Sequence, residues 1–135
     1  MIFLDSSFII ACKIKDDEHH QKSMNYLTAL IDRNEEVVTS DYIFDEVVTV
    51  LFLKTKNLNI AAETGKILKS AAVILKINDV VFEKAWEIFS AQKNTRLSFT
   101  DCSTIALMRE EGIKKLATFD EDFKKVKEIE VVRFG

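Results

Sequence analysis

The sequence contains no proline, only three glycines and only two cysteines. So little punctuation argues against a turn-rich β-sandwich and against collagen-like or linker sequence. Cys12 and Cys102 stand alone, without a C-x-x-C pair, so neither a zinc site nor a redox dithiol is suggested. Two buried free thiols in a reducing cytoplasm are expected instead. Long apolar runs are missing too. The longest, Val47 to Leu53, includes Thr49 and falls far short of the ~20 residues that span a bilayer. Met1-Ile2-Phe3-Leu4-Asp5 carries no basic stretch and is interrupted by an acid, which speaks against a signal peptide. Nor is there an excess of positive charge. Nineteen Lys and Arg against 22 Asp and Glu leave a net charge of −3, which excludes a polybasic protein that coats nucleic acid by charge alone. A small nucleic-acid enzyme whose bound cations supply the missing charge is still allowed.

What is present suits a globular fold. The 135 residues are 47% hydrophobic and 30% charged, with ten Phe and a mean hydropathy of +0.02, which points to one domain over residues 1–135 rather than to disorder. Ile2-Phe3-Leu4 reads as a buried strand. Ser6 or Ser7 then caps a helix to about Lys13, and Asp16-Asp17-Glu18 opens a second helix to about Arg33. Val37-Val38-Thr39 reads as a strand, followed by a cap at Ser40 or Asp41 and helices over 42–55 and 59–71. A third strand is expected over 72–77. Asn78 or Asp79 then starts a helix to about Asn94, with Val80, Val81, Ala85, Ile88 and Phe89 on its inner face. Ser98 or Thr100 opens a helix that ends at Gly112, and strands follow at 115–118 and 130–134. Strands separated by helices imply parallel pairing and right-handed crossovers in a three-layer α/β sandwich. Ligands of such sheets bind beyond the carboxyl ends of the strands.

Most of the acids fit a solvated surface, but several do not. Asp5 and Asp120 each follow an apolar strand, though either could cap the helix after it. Glu46 falls inside the stripe Ile43, Val47, Val50 and Leu51, while Asp45 points about 100° away. A carboxylate on a core-facing stripe requires a Lys or Arg partner or a metal. Asp101 lies in the first turn of a helix that is small or apolar all round, where it could serve the helix dipole or, with Ser98 capping, keep lone pairs for a ligand. Asp122, two residues beyond Asp120, competes with it for the same place. Asp5, Glu46, Asp101 and Asp120 all map to one sheet edge. Such a cluster needs cations, and hard oxygen donors select Mg²⁺ or Mn²⁺ over zinc. The chemistry that suits it is metal-activated attack of water on a phosphodiester.

The segments Phe3-Leu4-Asp5-Ser6-Ser7, Thr39-Ser40 with Glu46-Val47, Leu97-Ser98-Phe99-Thr100-Asp101 and Ala117-Thr118-Phe119-Asp120-x-Asp122-Phe123, in that order, resemble the PIN-domain family. Within it they look like the VapC-type toxin ribonucleases. The resemblance implies a parallel five-stranded sheet flanked by helices, and Mg²⁺- or Mn²⁺-dependent endonucleolytic cleavage of RNA in the cytoplasm. It also implies a homodimer and an antitoxin protein that blocks the site. By motif, Asp5 and Asp101 would ligate metal, Glu46 and Asp120 would complete the site with Asp122 as the alternative, and Ser6 and Thr118 would steady it by hydrogen bonds. Lys54, Lys56, Lys114, Lys115, Lys124, Lys125 and Lys127 are the candidate RNA contacts.

Other readings stay open. A haloacid-dehalogenase-like phosphotransfer domain wants Asp-x-Asp after the first strand, where this chain has Asp5-Ser6-Ser7. A response regulator wants an acidic pair in the first β–α loop, which is absent. A non-catalytic PIN-like module binding RNA or protein, or an RNA-processing nuclease without a toxin role, would share the fold. Glu18-His19-His20 lacks H-E-x-x-H spacing and reads as surface; Trp86, one turn from Phe82 and Phe89, reads as core.

Overall fold

Ile2, Phe3 and Leu4 form β1 (Ile2–Leu4), buried on both faces as an unbroken apolar run requires. The computed structural model describes residues 1–135. Beyond β1 the chain runs through α1 (Ser6–Lys13), α2 (His20–Asp32), β2 (Val37–Ser40), α3 (Asp41–Thr55), α4 (Leu58–Ala71), β3 (Val73–Leu75), α5 (Asp79–Ser90), α6 (Phe99–Glu111) and β4 (Lys115–Ala117). A 3₁₀ segment (Glu121–Lys125) and β5 (Glu130–Val131) complete it. The five strands form one sheet in the order β3-β2-β1-β4-β5, and every pairing is parallel. Phe3 sits opposite Val38 on one side and Leu116 on the other.

The chain therefore steps outward from β1 through β2 to β3, then returns across the sheet to β4. With crossovers of one hand, that reversal puts α5 and α6 on the face opposite α1 to α4. The packing agrees: α1 touches α2 and α3, α3 touches α4, and α5 pairs with α6. Gly65 lets α3 and α4 approach closely, since a Cβ there would meet the Phe44 ring at 3.2 Å. The reversal also makes the β1–β4 boundary a topological switch point, where a crevice opens at the carboxyl edge.

Several boundaries differ from the sequence reading, each for a local reason. The second helix starts at His20, not at the acids before it. Asp17 Oδ1 accepts from the His19 amide at 2.8 Å and its carbonyl from His20, so the acidic residues build a turn instead. The N-cap of α1 is Asp5, not Ser6 or Ser7, and its side chain makes no capping bond. The fifth helix ends at Ser90 rather than near Asn94; Ser90 Oγ bonds back to the Trp86 carbonyl, and Gln92 then clamps Leu97 through its amide, donating at 2.9 Å and accepting at 2.8 Å. Trp86 is not core. Only Val81 and Ala85 of α5 are buried against α6, and that contact is too narrow for the whole apolar face, leaving Trp86 53% exposed. Strands β3 and β5 are also shorter than expected.

Candidate active site

The site grows from the end of β1. The Asp5 amide donates to the Ala117 carbonyl at 3.0 Å, which ties the residue after β1 to the end of β4. Its side chain is buried at 2% exposure. Thr118 Oγ1 donates to Asp5 Oδ2 at 2.6 Å and Ser7 Oγ donates to the same oxygen at 3.0 Å. The Phe119 amide in turn donates to Ser7 Oγ, and the Asp120 amide to Thr118 Oγ1. Thus two hydroxyls join the β1–α1 turn to the loop after β4. The other oxygen, Asp5 Oδ1, is buried and has no hydrogen-bond partner.

Burial is the main reason that the Asp5 pKa rises from the ordinary 3.8 to about 6. The like charge of Asp101 pushes it the same way, while the bonds from Thr118 and Ser7 and the nearby Ser6 amide oppose the shift.

Asp101 arrives from α6. Ser98 caps that helix: its Oγ accepts from the Asp101 amide at 3.0 Å, and Asp101 Oδ2 accepts from the Ser98 amide at 2.9 Å. This reciprocal capping box means that Asp101 does serve the helix start, but with one oxygen only. Burial raises its pKa, with the charges of Asp120 and Glu46 adding to the effect. Glu46 arrives from α3, where Ile43, Val47 and Leu51 are buried and Asp45 is exposed. Its Oε2 accepts from Ser6 Oγ at 2.8 Å. Asp120 caps the 3₁₀ segment through Oδ1, which accepts from the Asp122 amide at 3.0 Å.

A pattern runs through these four residues. Each commits one carboxylate oxygen to the polypeptide, and the second makes no hydrogen bond. None pairs with a Lys, Arg or His, so the ion-pair explanation of Glu46 does not apply. As placed, no three His, Cys, Asp or Glu side chains converge tightly enough to hold an ion, as expected of like charges held apart by their serine and backbone partners. Even so, the unpaired donor set and the orphaned Asp5 Oδ1 fit a hard divalent cation.

Asp122 is not brought into this group. Its Oδ2 accepts from the Arg96 amide at 2.9 Å, and its Oδ1 lies 3.3 Å from Lys125 Nζ. The Arg96 bond, with Lys125 helping, lowers its pKa; its neighbours already satisfy it. Ser7, expected from the sequence only as a helix cap, is also part of the site. Its signal was a hydroxyl two residues after a strand-end acid. Both cysteines are free and buried, and burial with the Asp101 charge pushes the Cys102 thiol up to about 11, so it is inert. The histidines are not plain surface either: His19 stacks on Phe119 with centroids 4.1 Å apart, and His20 Nδ1 lies 2.7 Å from the Ala11 carbonyl.

Fold and site together define a doubly covered parallel α/β domain with unpaired carboxylates at its switch point. The chain belongs to the PIN domain family, whose model matches residues 2–129. It is 27% identical over 131 residues to the 23S rRNA-specific endonuclease VapC20 of Mycobacterium tuberculosis, covering 97% of this chain and 98% of that protein. The crystal structure of VapC20, described as a sarcin-ricin loop cleaving toxin, matches with a TM-score of 0.81 over 93% of this chain and 94% of that one. A chain of VapBC2 from Rickettsia felis, solved bound to a DNA fragment from its promoter, matches at 18% identity and a TM-score of 0.75, covering 98% of each chain; it shows the shared fold.

Proposed function

We propose that the chain is a metal-dependent endoribonuclease that hydrolyses RNA phosphodiesters at Asp5, Glu46, Asp101 and Asp120, and that it serves as the toxin of a toxin–antitoxin pair. The observation that carries the reading is Asp5: a buried carboxyl with an unpartnered oxygen, among acids with no cationic partner. Similarity to an endonuclease over nearly the whole chain supports the reaction class.

Asp5 and Asp101 would hold Mg²⁺ or Mn²⁺, with Glu46 and Asp120 completing the set. When bound, such an ion supplies an activated water and neutralises charge on the phosphate. The chain's own residues do the positioning. Thr118 and Ser7 fix Asp5 Oδ2 and thereby set where Oδ1 points. Ser6 orients Glu46, and the capping box fixes Asp101 on the buried α6. This preorganisation is built on rigid elements, as precise catalysis requires. Asp122 takes no part in the set. The biological unit in this reading is a homodimer in the cytoplasm, held in check by an antitoxin protein. No helix is long and apolar enough to cross a membrane.

Incubation of a structured RNA with the protein in Mn²⁺ and in EDTA tests the activity. Cleavage is expected in Mn²⁺ only, and Asp5→Asn or Asp101→Asn abolishes it with an unchanged circular dichroism spectrum. Full activity in EDTA overturns the mechanism. Induced expression in a bacterial host should arrest growth for the native chain and not for Asp5→Asn; normal growth with both removes the toxin role.

A further inference from the structure

A cleft adjoins the acids. It has a volume of about 560 Å³ and shares Thr118 and Asp120 with the site, which is within the size range of small-ligand pockets. One wall is aromatic: His19 lies parallel to Phe119 at 4.1 Å, and Phe119 stacks on Phe134 at 4.4 Å. The same lining carries three cations, Lys22, Lys124 and Arg133, alongside the acids Asp120 and Glu121. Lys124 is neutralised by Glu121 at 2.7 Å, but neither Lys22 nor Arg133 is engaged by any carboxylate. Two free cations thus sit beside four unpaired acids, in a chain whose net charge is −3.

We propose that this cleft is the subsite for the RNA nucleotide flanking the scissile phosphate, with Lys22 and Arg133 receiving its phosphate and the aromatic wall its base and sugar. The inference rests on the ribonuclease reading above and adds the means by which an acidic chain holds a polyanion. Phosphate contacts position a nucleic acid, and aromatic faces accept any base by stacking. Of the lysines suggested by the sequence, Lys124 lines the cleft but is paired with Glu121, and Lys114, Lys115 and Lys125 serve this less well. Lys114 and Lys115 lie at the amino end of β4, the wrong end of the strand. Lys125 is held by Asp122 and by the Asn94 carbonyl.

The test compares cleavage of one single-stranded RNA oligonucleotide in Mn²⁺ by the native chain, by Lys22→Gln/Arg133→Gln and by the control Lys114→Gln/Lys115→Gln. All four side chains are exposed, so folding is not at stake. The first variant should raise KM about tenfold, leave kcat at saturating RNA unchanged, and flatten the log–log dependence of 1/KM on salt by about 0.7 per lost contact. The control should match the native chain. Cleavage by all three with equal KM and salt slope overturns the proposal, and would assign the cleft to another occupant, such as an acidic segment of a protein partner. A native chain that cleaves no RNA in Mn²⁺ fails at the earlier step and refutes the ribonuclease reading itself.

Discussion

Replacing Asp5 by Asn should stabilise the metal-free protein, and the amount should depend on pH. The Asp5 carboxyl has an ordinary pKa of 3.8 and one of about 6 in the fold. At about 1.4 kcal/mol per pH unit, that difference corresponds to about 3 kcal/mol. Between those two values the folded protein holds a proton that the unfolded chain has released. Stability therefore falls as pH rises through this window. The penalty is nearly absent below about pH 3 and complete above about pH 7. Asparagine keeps an acceptor for Thr118 and Ser7 but carries no charge, so the variant escapes the penalty. Its new amide must fill the place of the orphaned Oδ1, which adds an offset, but that offset does not change with pH. Urea unfolding of both proteins in EDTA, at intervals from pH 4 to pH 8, measures the difference. It should grow by about 2–3 kcal/mol across the range, on the order of 10 °C in melting temperature for a domain of this size. Excess Mn²⁺ should shrink it, since an ion that binds only the native, charged site stabilises that state by linkage. Parallel stability curves for the two proteins would refute the account of Asp5 as a buried charge without a counter-ion.

Asp120→Asn should lower Mn²⁺-dependent cleavage by on the order of a hundredfold, the scale of a lost electrostatic contact in a catalytic site. Asp122→Asn should have a small effect, because Asp122 spends its oxygens on Arg96 and Lys125; kinetics at low and saturating Mn²⁺ check both, and a larger loss for Asp122→Asn reverses the assignment. Thr118→Val deletes the 2.6 Å donor to Asp5 and the acceptor for the Asp120 amide, and should cost about 1–3 kcal/mol in urea unfolding. The same variant should move the acidic limb of the pH–rate profile upward, since the Thr118 bond is what most opposes the raised Asp5 pKa; an unmoved limb would show that Thr118 does not tune Asp5.

Much of the chain's organisation follows from local sequence alone. The apolar run Ile2–Leu4 reads as a buried strand, and Asp5 then stands at its carboxyl end. Period 3.6 in α3 puts Glu46 on the inner face and Asp45 outside, and the Ser98–Asp101 spacing writes its own capping box. These are short-range properties, fixed by backbone geometry and side-chain periodicity within a few residues. The strand order is not of that kind. Only the pairing of β1 with β4 brings Thr118 to Asp5, 113 residues away in the chain, and the Phe119 amide to Ser7 Oγ. The partners of Asp122 are likewise tertiary, because they depend on where the Arg96 amide lies. So is the exposure of Trp86, since the width of a buried face is set by the partner helix and not by the helix itself. The cleft gathers Lys22, Lys124 and Arg133 from α2, the 3₁₀ segment and the chain after β5, which share no local pattern, so sheet closure alone could assemble them.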